Sequence, residues 1–254
     1  MKKAIYTCII GSYDSLRQPC VQDNGYDFIL FVAKGTKKQD RNGVWQIREL
    51  DYVGTDNVVT SRYPKLNPHK VLPEYEYTLW MDGNLAIIDE GFYRVVNEKI
   101  AQGVDYAGVK HPDKNCVYED IEGCMHAMRD KPANIWRAAK FLVNLKFPRH
   151  YGMYENNIIL RRTASEAVRS FNEEWWNLYL DYPRRDQFTA PVCLRDNGIP
   201  FIYLLPEGDC AKTSPWIEYI EHNETPKSTL RSLYDYFACR VRTYMIIIYL
   251  KLYV

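Results

Sequence analysis

The stretch Thr78-Leu79-Trp80-Met81-Asp82-Gly83-Asn84-Leu85-Ala86-Ile87-Ile88-Asp89 sets two apolar runs of β character on either side of a three-residue polar plug. If a strand ends at such a plug, a carboxylate and an amide emerge at the sheet edge, where α/β proteins gather their ligands. The intervening glycine lets backbone and ligand approach, and the aspartate supplies a hard oxygen suited to a divalent cation that carries a diphosphate. The same letters also spell a hairpin, because Asp-Gly between alternating hydrophobics is a leading signal for a tight antiparallel turn. The rest of the chain has to choose between the two.

Short apolar runs alternate with helical patterns along the chain. Strands are expected at residues 4–10, 26–33, 44–50, 77–81, 85–88, 106–109, 157–160 and 200–205. Helices are expected at 92–101, 117–130, 133–146 and 165–180, with another beginning near Asp186. Residues 60–72 contain Pro64 and Pro68 and read as a short or broken helix bearing Arg62, Lys65, His69 and Lys70. Strands alternating with helices predict an α/β fold with a mostly parallel sheet covered by helices on both faces. With 254 residues and no repeat or linker, one domain is expected over 1–225, followed by a helical tail over 226–254.

A net charge of +1 gives no global field for nucleic acid. Seven scattered cysteines without a C-x-x-C fit neither a disulfide framework nor a zinc motif, and read as reduced thiols of a cytoplasmic protein. The apolar run after Lys2 and Lys3 is too short for a signal-peptide core and reads as a first buried strand. No stretch reaches the length of a membrane span. The tail mixes Arg240, Arg242 and Lys251 with Tyr244, Ile246, Ile247, Ile248 and Tyr249. That mixture suits a helix lying in an anionic membrane interface or one packed on the domain.

Several polar loops accompany the central plug. Gly11-Ser12-Tyr13-Asp14 follows the first strand and places an aromatic face beside a carboxylate, as any turn of that composition would. Arg62, Lys65 and Lys70 bring donors for phosphate oxygens just ahead of Asp82, or are simply solvated helix charges. Tyr118-Glu119-Asp120 reads as surface acid, Glu155 precedes an apolar strand, Asp186 stands where a helix N-cap would, and His222 is a lone histidine.

Taken in order, these residues resemble a nucleotide-sugar glycosyltransferase of the GT-A type. More narrowly, they resemble the TOD1/MUCI70 glycosyltransferase-like domain found in plant mucilage- and pectin-related proteins and in bacteria. The resemblance is carried by Tyr6 through Asp14, Lys65 through Lys70, Leu79-Trp80-Met81-Asp82-Gly83-Asn84 and His111-Pro112. It continues with Cys116-Val117-Tyr118-Glu119, Gly152 through Asn156, Trp175-Trp176 and Arg185-Asp186-Gln187.

The resemblance implies a GT-A, Rossmann-like fold, a UDP-linked sugar donor, Mn²⁺ or Mg²⁺, and a glycan or glycolipid acceptor of the kind used in polysaccharide biosynthesis. Asp82-Gly83-Asn84 takes the place of the family's Asp-x-Asp and departs from it by ending in a neutral amide. Metal would then rest on Asp82 with the carbonyl oxygen of Asn84, or with help from His222. Tyr13 and Asp14 fall to the base and ribose, Arg62, Lys65 and Lys70 to phosphate, and Glu155 and Asp186 to the acceptor or the anomeric carbon. The resemblance leans to retention of anomeric configuration. A different class, a non-catalytic nucleotide- or carbohydrate-binding protein attached to a membrane by its tail, has the same sequence features.

Overall fold

The computed structural model describes residues 1–182, 185–221 and 233–254. The chain opens with strands β1 (Lys3–Cys8), β2 (Asp27–Val32), β3 (Arg41–Asn42) and β4 (Trp45–Glu49). Helices α1 (Asn57–Leu66) and α2 (Pro68–Val71) lead to β5 (Tyr77–Met81) and β6 (Leu85–Ile87). Then come α3 (Gly91–Ala101), β7 (Tyr106–Lys110), α4 (Val117–His126), α5 (Pro132–Asn144) and β8 (Tyr154–Arg162). The last elements are α6 (Glu166–Asp181), α7 (Asp186–Asp196), β9 (Ile217–Tyr219) and α8 (Leu233–Tyr253).

Seven strands form one sheet in the order β3-β4-β2-β1-β5-β8-β7, and β6 pairs with β9 in a separate two-stranded ribbon. β4, β2, β1 and β5 run parallel, and β8 is antiparallel to both β5 and β7. The sheet is therefore mixed and mostly parallel. The period-2 alternation of each strand sorts its side chains onto two faces. Ile5, Phe28, Leu79 and Met81 join Phe92 and Val96 of α3 on one face. Tyr6, Ile29, Phe31 and Trp80 join Phe171 and Trp175 of α6 and Cys193 of α7 on the other. Both faces are thus covered by helices, as the alternation of elements predicts. A third cluster joins α4, α5, α7 and α8 through Tyr118, Ile135, Val192, Ile246 and Leu250.

The order of pairing locates the functional edge. From β1 the chain moves outward through β2 to β4, then returns to pair β5 on the other side of β1. The crevice between the C-terminal ends of β1 and β5 is thus the topological switch point, where open α/β sheets bind ligands.

Two readings change. Asp-Gly-Asn closes no hairpin: β5 stays in the large sheet while β6 leaves it to pair with β9, with Leu85 opposite Tyr219. Residues 200–205 form no strand, only a bridge of Tyr203 to Gly108. The Gly108 amide donates to the Ile202 carbonyl and the Leu204 amide to the Gly108 carbonyl, while the Ile202 amide donates to the Tyr154 hydroxyl instead of to a strand. The tail packs on the domain along one side and leaves another side exposed. Ile246 and Leu250 are buried in the cluster with α4 and α5, whereas Phe237, Val241, Tyr244, Met245, Ile248 and Leu252 are exposed. The expected boundary at 225/226 and His222 lie outside the described residues. The six cysteines with described side chains are all unpaired, and only Cys20 is exposed.

Candidate active site at the end of β5

Alternation along β5 fixes where Asp82 points. Leu79 and Met81 face α3, so Trp80 and then Asp82 face α1 and α7. Asp82 Oδ1 accepts from its own strand's Trp80 Nε1 at 2.7 Å and lies 3.3 Å from Lys65 Nζ. Lys65 reaches it from the end of α1, a helix N-capped by Asp56, whose carboxylate accepts from the Val59 amide. Pro64 inside α1 and Pro68 at the start of α2 break this segment into two short helices.

Lys65 is buried (2% exposed) and also contacts Asp186 Oδ2 at 2.8 Å, so one ammonium joins the carboxylates at the ends of β5 and the start of α7. Burial works against the charged form of Asp186, yet Lys65 and Arg62 outweigh it and hold this carboxyl below the usual carboxylate range. Burial likewise opposes the charge on Arg62, but Asp186 and Asp82 prevail and raise its pKa. Two cations and two carboxylates therefore share one desolvated edge of the sheet.

The loop after β1 closes over the same turn. A Cβ on Gly83 would stand 3.1 Å from Ile9 Cγ1 and 3.4 Å from Asp14 Oδ2. A side chain here would crowd Ile9 and the β1 loop, which brings Asp14 to the motif. Partial burial, then Asp14, raises the pKa of the exposed Tyr13 phenol, with Asp82 adding to the rise and Arg62 opposing it. On the other face of the sheet, Thr7, Arg17 and Trp45 line a narrow cavity that ends at Asp82 and Gly83. Buried Thr7 Oγ1 and Arg17 Nε have no hydrogen-bond partner there.

β8 supplies the opposite wall. The Asp82 amide donates to the Asn157 carbonyl, continuing the β5–β8 ladder past Met81. The β7–β8 register then shifts, and Asn156 takes a left-handed backbone (φ 59°) that non-glycine residues rarely adopt. Its side chain is buried with both amide atoms unpartnered. Glu155 Oε2 accepts from the Ala211 amide and Asn157 Nδ2, both at 3.1 Å. Burial raises the pKa of Glu155, with Asp82 adding to the shift, and the hydrogen bonds from Ala211 and Asn157 opposing it.

Of the residues singled out in the sequence, Tyr13, Asp14, Arg62, Lys65, Asp82, Glu155 and Asp186 thus converge. Lys70 does not join them. α2 restarts at Pro68, and Lys70 pairs with Glu173 of α6 at 3.6 Å, together with His69, which burial and then Lys70 hold neutral at a pKa of about 4. Asn84 is buried, and its Nδ2 donates to the Ile220 carbonyl at 2.7 Å, so it clamps the β6–β9 ribbon. For a cation the turn leaves Asp82 Oδ2 and Asn84 Oδ1. Among the described residues no group of three His, Cys, Asp or Glu ligands forms around Asp82. Two protein oxygens completed by substrate phosphates is a mode that Mg²⁺ uses, so these residues fit such an ion only together with a bound diphosphate.

Two residues that position the site have no local signal. Asp120, which reads as surface acid, is wholly buried and accepts from both Arg185 Nε (2.8 Å) and Lys114 Nζ (2.7 Å). It anchors the residue immediately before Asp186. Arg161, also wholly buried, donates to Tyr6 Oη, Asn172 Oδ1 and the Lys65 carbonyl, which fixes the backbone that carries the central ammonium.

No curated protein matches the chain. Among solved structures it is similar to apo mouse xyloside xylosyltransferase 1, with 9% identity and a TM-score of 0.42 over 80% of this chain and 84% of that one. It is also similar to the apo bifunctional glycosyltransferase WbbM, with 10% identity and a TM-score of 0.40 over 79% of this chain and 38% of WbbM. Residues 1–157, which carry the β1 loop, Lys65, the Asp82 turn and Glu155, match the family model of the TOD1/MUCI70 glycosyltransferase-like domain, and the chain belongs to that family.

Proposed function

We propose that the chain transfers a sugar from a nucleoside-diphosphate sugar, UDP-linked, to a glycan or glycolipid acceptor. The observation that carries this reading is the Asp82 turn at the switch point, with buried Lys65 and Arg62 beside it. A departing diphosphate gathers negative charge, and preorganised cations in a desolvated cleft stabilise that charge more than water does. Arg62 and Lys65 face the diphosphate, and Tyr13 and Asp14 flank the base and ribose. Mg²⁺ or Mn²⁺ held by Asp82 and Asn84 would supply further neutralisation of the leaving group. His222 remains a proposed helper of that ion. Asp186, charged and tied to Lys65, holds the ammonium in place and is poorly suited to accept a proton. Glu155, with its raised pKa, is the better proton acceptor and stands on the acceptor side.

Glu155→Gln separates the two stereochemical outcomes. With retention, kcat stays within a few-fold and the acceptor KM rises. With inversion, loss of the base costs ~10²–10⁴-fold in kcat. Stability gives a second readout. A carboxyl whose folded pKa is raised contributes most below its unfolded pKa, and that contribution is lost as pH rises through the folded value. Glu155→Gln should therefore be at least as stable as the parent in urea at pH 7, and lose that advantage toward pH 4.

The exposed stripe of α8 supports a peripheral site of action on an anionic membrane, the inner face of the cytoplasmic membrane. Exposed Arg240, Arg242 and Lys251 accompany the exposed apolar residues on this helix, and each basic residue near such a surface adds about 1 kcal/mol. Among the described residues no helix is long and apolar enough to cross a membrane. The full chain should co-sediment with phosphatidylserine vesicles and not with neutral ones, and Arg240→Glu with Ile248→Glu should abolish it. Equal recovery of parent and variant in the supernatant would exclude this attachment.

A further inference from the structure

A second group of ligating side chains lies on α4, apart from the Asp82 turn. Cys116 is the N-cap of α4, Glu119 is in its first turn, and His150 lies in the segment between α5 and β8. One ligand atom from each stands within 4.8 Å of the other two. Cys116 Sγ makes no capping hydrogen bond, so nothing in the helix claims it. His150 Nδ1 lies 2.6 Å from Asn115 Oδ1, an acceptor that keeps the proton on Nδ1 and leaves Nε2 as the ring's free lone pair. Histidines that bind metals are oriented by this kind of outer partner.

We infer that Cys116, Glu119 and His150 form a zinc-type site. The donor set discriminates among ions: a sulfur and an imidazole favour Zn²⁺, whereas Mg²⁺ and Mn²⁺ prefer an all-oxygen shell. With bonds of about 2.0–2.3 Å, tetrahedral donors stand roughly 3.3–3.8 Å apart, so the three groups need draw in by little more than ~1 Å. Three protein ligands leave the fourth position to water, on the side where His150 is exposed and Cys116 is not. Binding releases the thiol proton of Cys116 to solvent. The ion ties the start of α4 to His150, five residues before Glu155 in the segment that leads into β8. The site is independent of the proposed transferase reading, because it shares no residue with the Asp82 cluster.

The test uses the full chain stripped of metal, with Co²⁺ as a spectroscopic probe and Zn²⁺ competing against a chromophoric chelator. One equivalent of Co²⁺ should produce a thiolate charge-transfer band that Zn²⁺ bleaches and millimolar Mg²⁺ does not. Cys116→Ser should lose the band. His150→Asn, which tolerates the left-handed backbone of this exposed position, should weaken Zn²⁺ by at least as much as Asn115→Ala, for which a loss of ~10–100-fold is expected. Absence of a thiolate band in the parent would overturn the proposal, as would Zn²⁺ affinity that is equal in the parent, Cys116→Ser and His150→Asn.

Discussion

Lys65→Met should destabilise the protein by about 3–5 kcal/mol at pH 7, the usual cost of removing one partner from a buried ion pair. Methionine keeps the length and apolar stem of lysine, so the loss isolates the charge. Asp186, at 2.8 Å from the missing ammonium, is left buried with Arg62 and, more weakly, Arg185 as its remaining cations. The pH dependence follows from the depressed pKa of Asp186. In the parent, that carboxylate contributes stability above its unfolded pKa of about 3.9, and the contribution is lost as pH falls through the lower folded value. In the variant the charged form is penalised and protonation relieves it. The gap between the two proteins in urea melts should be wide at pH 7 and narrow as pH falls through the carboxylate range. A gap of constant size would mean that Lys65 contributes packing alone.

Asp82→Asn should have the opposite signature, an intact fold with little activity. The side chain is partly exposed, and an asparagine oxygen can still accept from Trp80 Nε1. What disappears is the charge that holds the Lys65 ammonium toward the cleft and the hard oxygen offered to a cation. Loss of such an electrostatic element typically costs ~10²–10³-fold in kcat. The measurement is kcat/KM for donor turnover, read beside Tm. Parent-like turnover would remove Asp82 from the chemistry. A large fall in Tm would make it a structural residue.

Elements whose signal is local were legible in the sequence. The apolar runs of β1, β2 and β5 and the helical patterns of α3 and α6 fold where they read. The place of Asp82 at the end of β5 was legible for the same reason, since a polar plug between two apolar runs has to surface at a strand end. The hairpin reading of that plug depends on which strand β6 pairs with, and its partner β9 lies more than 130 residues downstream. Asp120 looks like one of several acids on a helix because Arg185, its partner, is 65 residues away in sequence. Lys70 looks equivalent to Lys65, but the helix restart at Pro68 turns it toward Glu173. The unpartnered amide of Asn156 depends on a register shift against β7 that no pattern of residue types announces.

The central claim is that the Asp82–Lys65–Arg62 edge binds the diphosphate of a sugar donor and promotes its departure. The most direct measurement is calorimetric titration of UDP into the full chain with Mg²⁺ or Mn²⁺, paired with UDP release from UDP-sugars, for the parent and Lys65→Met. The account predicts saturable UDP binding by the parent, weakened at least ~10-fold in a still-folded Lys65→Met, as expected when a charge-assisted contact worth more than about 1.4 kcal/mol is lost. It also predicts UDP release by the parent alone. Equal affinity in the two proteins, or no binding of UDP by the parent under any metal condition, would contradict it.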